Sequence, residues 1–323
     1  MLALRYARNG EPAVVAEPVE IATPEPGPGE VRLRMLRSPV HNHDLATIRG
    51  LYGVKPALPA VGGTELLGVV DALGPGVTGV APGQRVAAMA AGAWAEYAIA
   101  DAATLVPVPE AISEDTGAQL LAMPLSAVVL FEELHVQPGQ WIVQNAASGA
   151  VGRLLCCIAQ SAGVGVVNLV RRANAVDELR AYGAKHVVVT EMGWPQRVRE
   201  IVGDARIVRV VDSVCDAESS ALHGLLAHAG EHVIFGALAG GALKLDPGAL
   251  IFGETVVRGF WMTSWMARAS AERRAAAMMR VFELLRLGAL PLPVCSVHAL
   301  RDGRAALVAA ETPGRPGKVL LRP

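Results

Sequence analysis

The chain has 323 residues, is 52% hydrophobic and 18% charged, and carries a formal net charge of −1. That length suggests about two domains, the apolar content excludes a disordered chain, and near-neutrality excludes the basic footprint of a nucleic-acid binder. The four cysteines, Cys156, Cys157, Cys215 and Cys295, have the spacing of neither a metal site nor a disulfide framework. The N-terminal residues show no apolar leader, and the longest apolar stretch, 117–131, contains Gln119 and Pro124 and is too short to cross a bilayer. The expectation is a cytoplasmic protein without a membrane or nucleic-acid partner.

Residues 1–110 consist of short runs separated by Gly/Pro turns, among them 23–29, 62–63, 74–76 and 81–83. Alternation over 31–36 and an apolar run over 68–73 predict strands of a compact, barrel-like β region. The middle third changes character. Apolar runs at 141–143, 166–170, 186–189, 207–211 and 233–236 alternate with helical patterns at 150–162, 174–183, 195–202 and 218–229. Strands alternating with helices predict βαβ units, and near-continuous apolar strands fit a parallel sheet covered on both faces. This part is therefore expected to be doubly wound. A long helix over 271–287, a shorter one over 301–311 and a last strand over 318–321 complete the α/β chain.

Ala147, Ser148, Gly149, Ala150, Val151 and Gly152 form a GxGxxG-type turn with alanine in the first glycine position. It follows a strand and opens a helix, the context in which such a turn cradles the pyrophosphate of a dinucleotide. Gly149 lets backbone approach the phosphates, Gly152 lets the helix pack on its strand, and the helix N-terminus supplies N–H groups and a positive dipole. The second strand ends in Arg171 and Arg172, with no acid for a ribose 2′-hydroxyl. Two guanidiniums suit a 2′-phosphate, so NADP(H) is the expected cofactor; the bland reading is a solvated arginine pair.

Gly63, Thr64, Glu65, Gly68, Gly74 and Val77 resemble the medium-chain dehydrogenase/reductase signature GHExxGx5GxxV, with Thr64 at the position of a zinc-ligand histidine. Where the zinc enzymes place a cysteine ahead of an aspartate, this chain has His41, Asn42, His43 and Asp44, and the four-cysteine lobe of structural zinc is absent. Read as an extended segment, His41 and His43 would alternate and diverge. The expectation is no metal, with both histidines lining the cofactor cleft and His43 facing substrate.

The chain is most similar to the zinc-free 2-enoyl thioester reductases, the mitochondrial type of trans-2-enoyl-CoA/ACP reductase. The likeness rests on 38–44, 48–53, 58–65, 143–146, 168–171 and 250–265, the last containing Phe252, Arg258, Gly259, Phe260, Trp261 and Trp265. It implies a GroES-like catalytic domain, residues 1–112 plus 260–323, around a Rossmann NADPH-binding domain, residues 113–259. It also implies NADPH-dependent reduction of the C2=C3 bond of an enoyl thioester, with Tyr52 as proton donor. Tyrosine, ordinarily titrating near ~10, is protonated at neutral pH. The bland alternative for Tyr52 is an exposed loop residue packing on Pro56 or Pro59.

Cofactor contacts implied by the likeness fall on His41, Asn145, Ser148 to Gly152, Arg171, Arg172, Phe235, Gly236, Ala237, Leu238, Phe260, Trp261 and Lys318. Trp261 and Trp265 line an acyl pocket or pack in the core, and Lys318 reaches an anion or is a solvated strand-edge charge. Departures surround the site: His41, Asn42 and His43 replace the family's Asn-Pro-Ser, and Met123 replaces an asparagine. An NADPH:quinone or enone reductase, and a non-catalytic NADPH-binding regulator, are the alternatives. Residues 243–252 are expected to pair as an edge segment in a homodimer, covering an exposed sheet edge.

Overall fold

The computed structural model describes residues 1–323. Its strands, in chain order, are β1 (Leu2–Tyr6), β2 (Ala16–Glu20), β3 (Glu30–Pro39), β4 (Ala60–Val61), β5 (Glu65–Leu73), β6 (Arg85–Met89), β7 (Tyr97–Asp101) and β8 (Val106–Pro107). There follow β9 (Trp141–Gln144), β10 (Gly165–Val170), β11 (His186–Val189), β12 (Ile207–Asp212), β13 (Glu231–Ile234), β14 (Val256–Gly259), β15 (Val294–Ala299) and β16 (Lys318–Arg322). The chain divides into two compact units, Met1–Ala122 with Leu292–Pro323, and Met123–Pro291.

The first unit is the expected β region. A three-stranded sheet runs β2-β1-β4, and a second runs β15-β16-β3-β5-β6-β8, with β7 also paired to β3. Along β3, Val31, Leu33 and Met35 point into the core while Arg32 and Arg34 point away, the period-2 pattern visible in the sequence. The fully buried Trp94 ring lies against the chain just before β5, its Nε1 donating to the Pro39 carbonyl at 3.1 Å. Gly62 and Gly63 let the backbone pass this ring. A Cβ on Gly63 would fall 2.3 Å from Trp94 Cδ1, and its φ is +88°. The two glycines thereby set the entry of Thr64 and Glu65 into the sheet.

The second unit carries one parallel six-stranded sheet in the order β11-β10-β9-β12-β13-β14. Numbered within the unit this is 3-2-1-4-5-6, the doubly wound dinucleotide-binding order, in which ligands sit outside the carboxyl ends of the two central strands. Apolar side chains pack on both faces. Leu130, Leu134, Leu155 and Ala159 belong to one cluster, and Trp194, Val198, Val202 and Leu222 to another.

Three expectations differ from what is found. The helix expected over 218–229 is confined to Ser219–His223. Residues 243–252 do not form an edge strand: Asp246 caps a helix, Pro247–Gly253, by accepting from the Gly248 and Ala249 N–H groups, and Pro247 presets its first turn. The sheet ends instead in β14. Residues 260–291, expected in the catalytic domain, belong to the second unit. There the helices Met262–Arg268 and Ala271–Arg286 are tied to the helix Ala122–Leu134 through Glu133, which accepts from Trp265 Nε1 and Arg273 Nη2, both at 3.2 Å.

Because Gly63→Ala combines a disfavoured φ with a collision against a fully buried indole, it is expected to cost about 3 kcal/mol or more. Urea unfolding measures this; a change below about 1 kcal/mol would show that Trp94 can move aside.

Candidate active site

In the first unit the site is built on a carboxylate. Glu65, at the start of β5, is fully buried, and its Oε1 accepts from the N–H groups of Leu121 at 2.6 Å and Ala122 at 3.2 Å. Its Oε2 lies 2.7 Å from His41 Nε2. Burial pushes the Glu65 carboxyl up to about 7, against the lowering pull of the two backbone donors and the charges of Lys318 and His43. Burial also holds His41 well below its ordinary value, with the charges of Lys318 and His43 adding to the effect. His41 Nδ1 is buried without a partner. Lys318 is 7% exposed, so the reading of a solvated strand-edge charge is corrected: it opens β16 inside the core, where its charge acts on Glu65 and His41.

The extended reading of 41–43 is also corrected. His41 is the N-cap of the helix Asn42–Ile48, and Asp44, three residues on, accepts from the His41 N–H at 2.9 Å in a capping box. The turn brings the two imidazoles together, with centroids 4.9 Å apart and planes within 20°. The Tyr52 ring also stacks on His43, at 5.6 Å and 29°. Thr64 Oγ1 donates to Asp44 Oδ1 at 2.8 Å and lies 2.6 Å from His43 Nε2. Since the carboxylate only accepts, the hydroxyl proton goes to Asp44 and His43 Nε2 carries the proton shared with Thr64.

This donor set does not fit zinc. Thr64 stands at the ligand position, His41 Nε2 is engaged by Glu65, and no three His, Cys, Asp or Glu side chains gather around a common point. Asp44 and Glu65 were not singled out as site residues from sequence, although Glu65, an acid followed by Leu66 and Leu67, carried the signal of a buried charge.

In the second unit the glycine turn joins β9 to the helix Ala150–Ser161 as expected. Gly149 is the N-cap, and the first intrahelical bond runs from Arg153 N to the Gly149 carbonyl at 3.0 Å, leaving first-turn N–H groups for an anion. A Cβ on Gly152 would meet Ala147 Cα at 2.7 Å, so helix and strand need glycine there. Arg171 is exposed and Arg172 half-buried immediately after β10. These residues fit a dinucleotide phosphate.

Asn145 has a different task. Its Nδ2 donates to Asp212 Oδ1 at 2.6 Å and its Oδ1 accepts from Ser213 N at 2.7 Å, tying the ends of β9 and β12 together at the switch point. Asp212 is fully buried; its burial is outweighed by the nearby His232, 3.4 Å away, and by hydrogen bonds from Ser219, the Cys215 N–H and Asn145, which hold it well below the usual carboxylate range. Phe235 stacks with Phe260 at 6.0 Å, both half-buried against the core, Gly236 packs against Ser213, and Ala237 and Leu238 are exposed. Trp261 is exposed. Trp265, expected to line an acyl pocket or to pack in the core, is a core residue, 4% exposed, bonded to Glu133 and covered by Arg273 at 5.5 Å.

A doubly wound sheet with a glycine turn at its switch point, joined to a β domain with a buried acid–imidazole pair, defines a nucleotide-dependent oxidoreductase of the medium-chain dehydrogenase/reductase class. The alcohol dehydrogenase GroES-like domain matches residues 27–110, and the zinc-binding dehydrogenase domain matches residues 150–280. The mitochondrial enoyl-[acyl-carrier-protein] reductase of Homo sapiens is 32% identical over 327 residues, covering 99% of this chain and 88% of that protein. The Bos taurus enzyme is 33% identical over 329 residues with the same coverage. Among solved structures, Escherichia coli quinone oxidoreductase complexed with NADPH superposes with a TM-score of 0.91 at 25% identity, over all of both chains. A mycobacterial protein complexed with NADPH does so with 0.90 at 28%, again over all of both chains. The chain belongs to the medium-chain dehydrogenase/reductase superfamily and, within it, to the family of the mitochondrial enoyl-[acyl-carrier-protein] reductases.

The raised Glu65 carboxyl makes a signed prediction. The folded protein holds that proton more tightly than the unfolded chain, so the contribution is full below the unfolded value of 4.5 and is lost as pH rises through about 7. Glu65→Gln carries no such proton. In thermal melts between about pH 5 and about pH 8, the variant is expected to gain on the wild type as pH rises; a constant difference would contradict the buried-acid assignment.

Proposed function

We propose that this protein reduces the C2=C3 bond of an α,β-unsaturated carbonyl compound, a trans-2-enoyl thioester, with NADPH and without zinc. The observation that carries the reading is Tyr52, a phenol on a loop, stacked against the imidazole column that Glu65 and Asp44 hold in place. When bound, the cofactor supplies hydride to the β-carbon. Negative charge then develops on the thioester oxygen, and a proton is needed at the α-carbon; the Tyr52 hydroxyl donates it. The glycine turn and the N-terminus of Ala150–Ser161 hold the pyrophosphate, and Arg171 with Arg172 holds the 2′-phosphate. The fit to NADPH-complexed structures supports the cofactor, and identity to the enoyl reductases supports the thioester.

The likeness to a quinone oxidoreductase favours a second reading, the same hydride transfer to a quinone or enone. The reading as a non-catalytic NADPH-binding regulator requires binding without turnover. We place the protein in the cytoplasm as a homodimer: its four cysteines are free, as in a reducing compartment, and no helix is long and apolar enough to cross a membrane. The outer edge of β14, near the exposed Ile251 and Phe252, is the surface for the partner copy.

Steady-state NADPH oxidation with crotonyl-CoA and with a quinone separates the readings; turnover with the quinone alone rejects the thioester. Tyr52→Phe is expected to lower kcat about 100-fold with NADPH affinity unchanged, and an unaltered kcat/KM removes Tyr52 from the mechanism. Arg171→Ala is expected to weaken NADPH binding about 10- to 100-fold, the worth of a charged hydrogen bond, and to leave NADH binding unchanged; equal loss for both cofactors rejects the 2′-phosphate contact.

A further inference from the structure

Tyr52 lies on an irregular segment, not on a helix or strand. Residues 51–58 form neither helix nor strand and are mostly exposed, Leu51 at 79% and Val54 at 47%. A proton donor must be aimed, and small errors of placement are costly in rate. What stands against the ring is His43, and His43 is unusually well fixed for a side chain facing a loop. Its Nε2 is held by Thr64 Oγ1 at 2.6 Å. Its backbone carbonyl accepts from Thr47 Oγ1 at 2.7 Å. Its ring also stacks on His41, which is fully buried and pinned by Glu65.

One carboxylate secures both steps of this column. Asp44 Oδ2 takes the His41 N–H and Oδ1 takes the Thr64 hydroxyl. The chain of donors has a single direction, from His43 Nε2 through Thr64 to Asp44, so Nε2 is held toward Thr64.

We propose that His43 is a positioning residue: its ring, locked by Thr64 and Asp44, is the platform that aims the Tyr52 phenol. The inference rests on the reading of Tyr52 as proton donor. It assigns His43 a role through its face, so an apolar ring of similar size serves where a small side chain does not. A stacked pair is worth a factor of about ten in the population of the aimed conformer.

The test uses the full chain. His43→Ala is expected to lower kcat about tenfold while the dissociation constant for NADPH, read by its fluorescence, stays unchanged. His43→Phe is expected to restore most of the loss. In a Tyr52→Phe background, His43→Ala is expected to have no further effect on kcat, because the two act as one unit. Equal impairment in His43→Phe and His43→Ala, or losses that multiply in the double variant, overturns the proposal.

A second readout does not depend on turnover. Proton NMR of the wild type is expected to show the His43 ring protons shifted by the Tyr52 ring current, and the shift to vanish in Tyr52→Leu. An absent shift together with an impaired Tyr52→Phe overturns the positioning role alone. A present shift with unaltered Tyr52→Phe kinetics overturns the proton-donor reading and the positioning role with it.

Discussion

The first unit is organised around the buried carboxylate of Glu65. Taking a carboxylate out of water is costly unless donors surround it, and satisfying this one draws distant segments to a single point. Leu121 and Ala122 supply backbone N–H groups, His41 supplies an imidazole, and Lys318, at the other end of the sequence, supplies charge. Ser38 on β3 donates to the Glu65 carbonyl at 2.6 Å, so the backbone of the same residue is gripped too. The glycines that let the chain pass Trp94 decide where this acid enters the sheet.

A comparison with Asp212 shows why one buried acid is raised and the other lowered. Both are fully buried, so both carry the desolvation cost. Asp212 Oδ1 accepts from Asn145 Nδ2, Val214 N and Cys215 N, and Oδ2 from Ser219 Oγ, with His232 Nε2 at 3.4 Å. Glu65 has two backbone donors on one oxygen and a single neutral imidazole on the other. The larger donor set of Asp212 outweighs its desolvation, whereas that of Glu65 does not. The consequence differs as well: a permanently charged Asp212 fixes the geometry of the switch point, whereas Glu65 holds a proton that leaves near neutrality.

What could be read from the sequence was whatever repeats with a period or forms a local motif. The apolar runs of β9 to β12 announce a sheet covered on both faces, and the turn from Ala147 to Gly152 carries its own geometric reason in Gly152. What could not be read depended on which of two local structures prevails, or on partners far away in the chain. His41-Asn42-His43 alternates like a strand, yet Asp44 as a cap converts it to a helix start and brings the imidazoles together instead of apart. Residues 243–252 are apolar enough for an edge strand, but Asp246-Pro247 is a stronger helix-opening signal. Lys318 looks like a solvated charge until β16 is placed beside β3, and Trp265 looks like a pocket residue until Glu133 and Arg273 are found on it.

The positions that depart from the family signature are connected to one another. Thr64, at the histidine position of the GHExxGx5GxxV signature, has one proton to give and lone pairs to receive, and the adjacent Asp44 takes the proton. The hydroxyl is then left as an acceptor, and what meets it is His43, itself a departure from the family's Asn-Pro-Ser. A histidine at position 64 would instead bring a second imidazole against Nε2 of the first, and the directional chain to Asp44 would be lost. Thr64, His43 and Asp44 therefore form one hydrogen-bonded unit. The result is a hydrogen-bonded His43 whose ring also stacks on Tyr52.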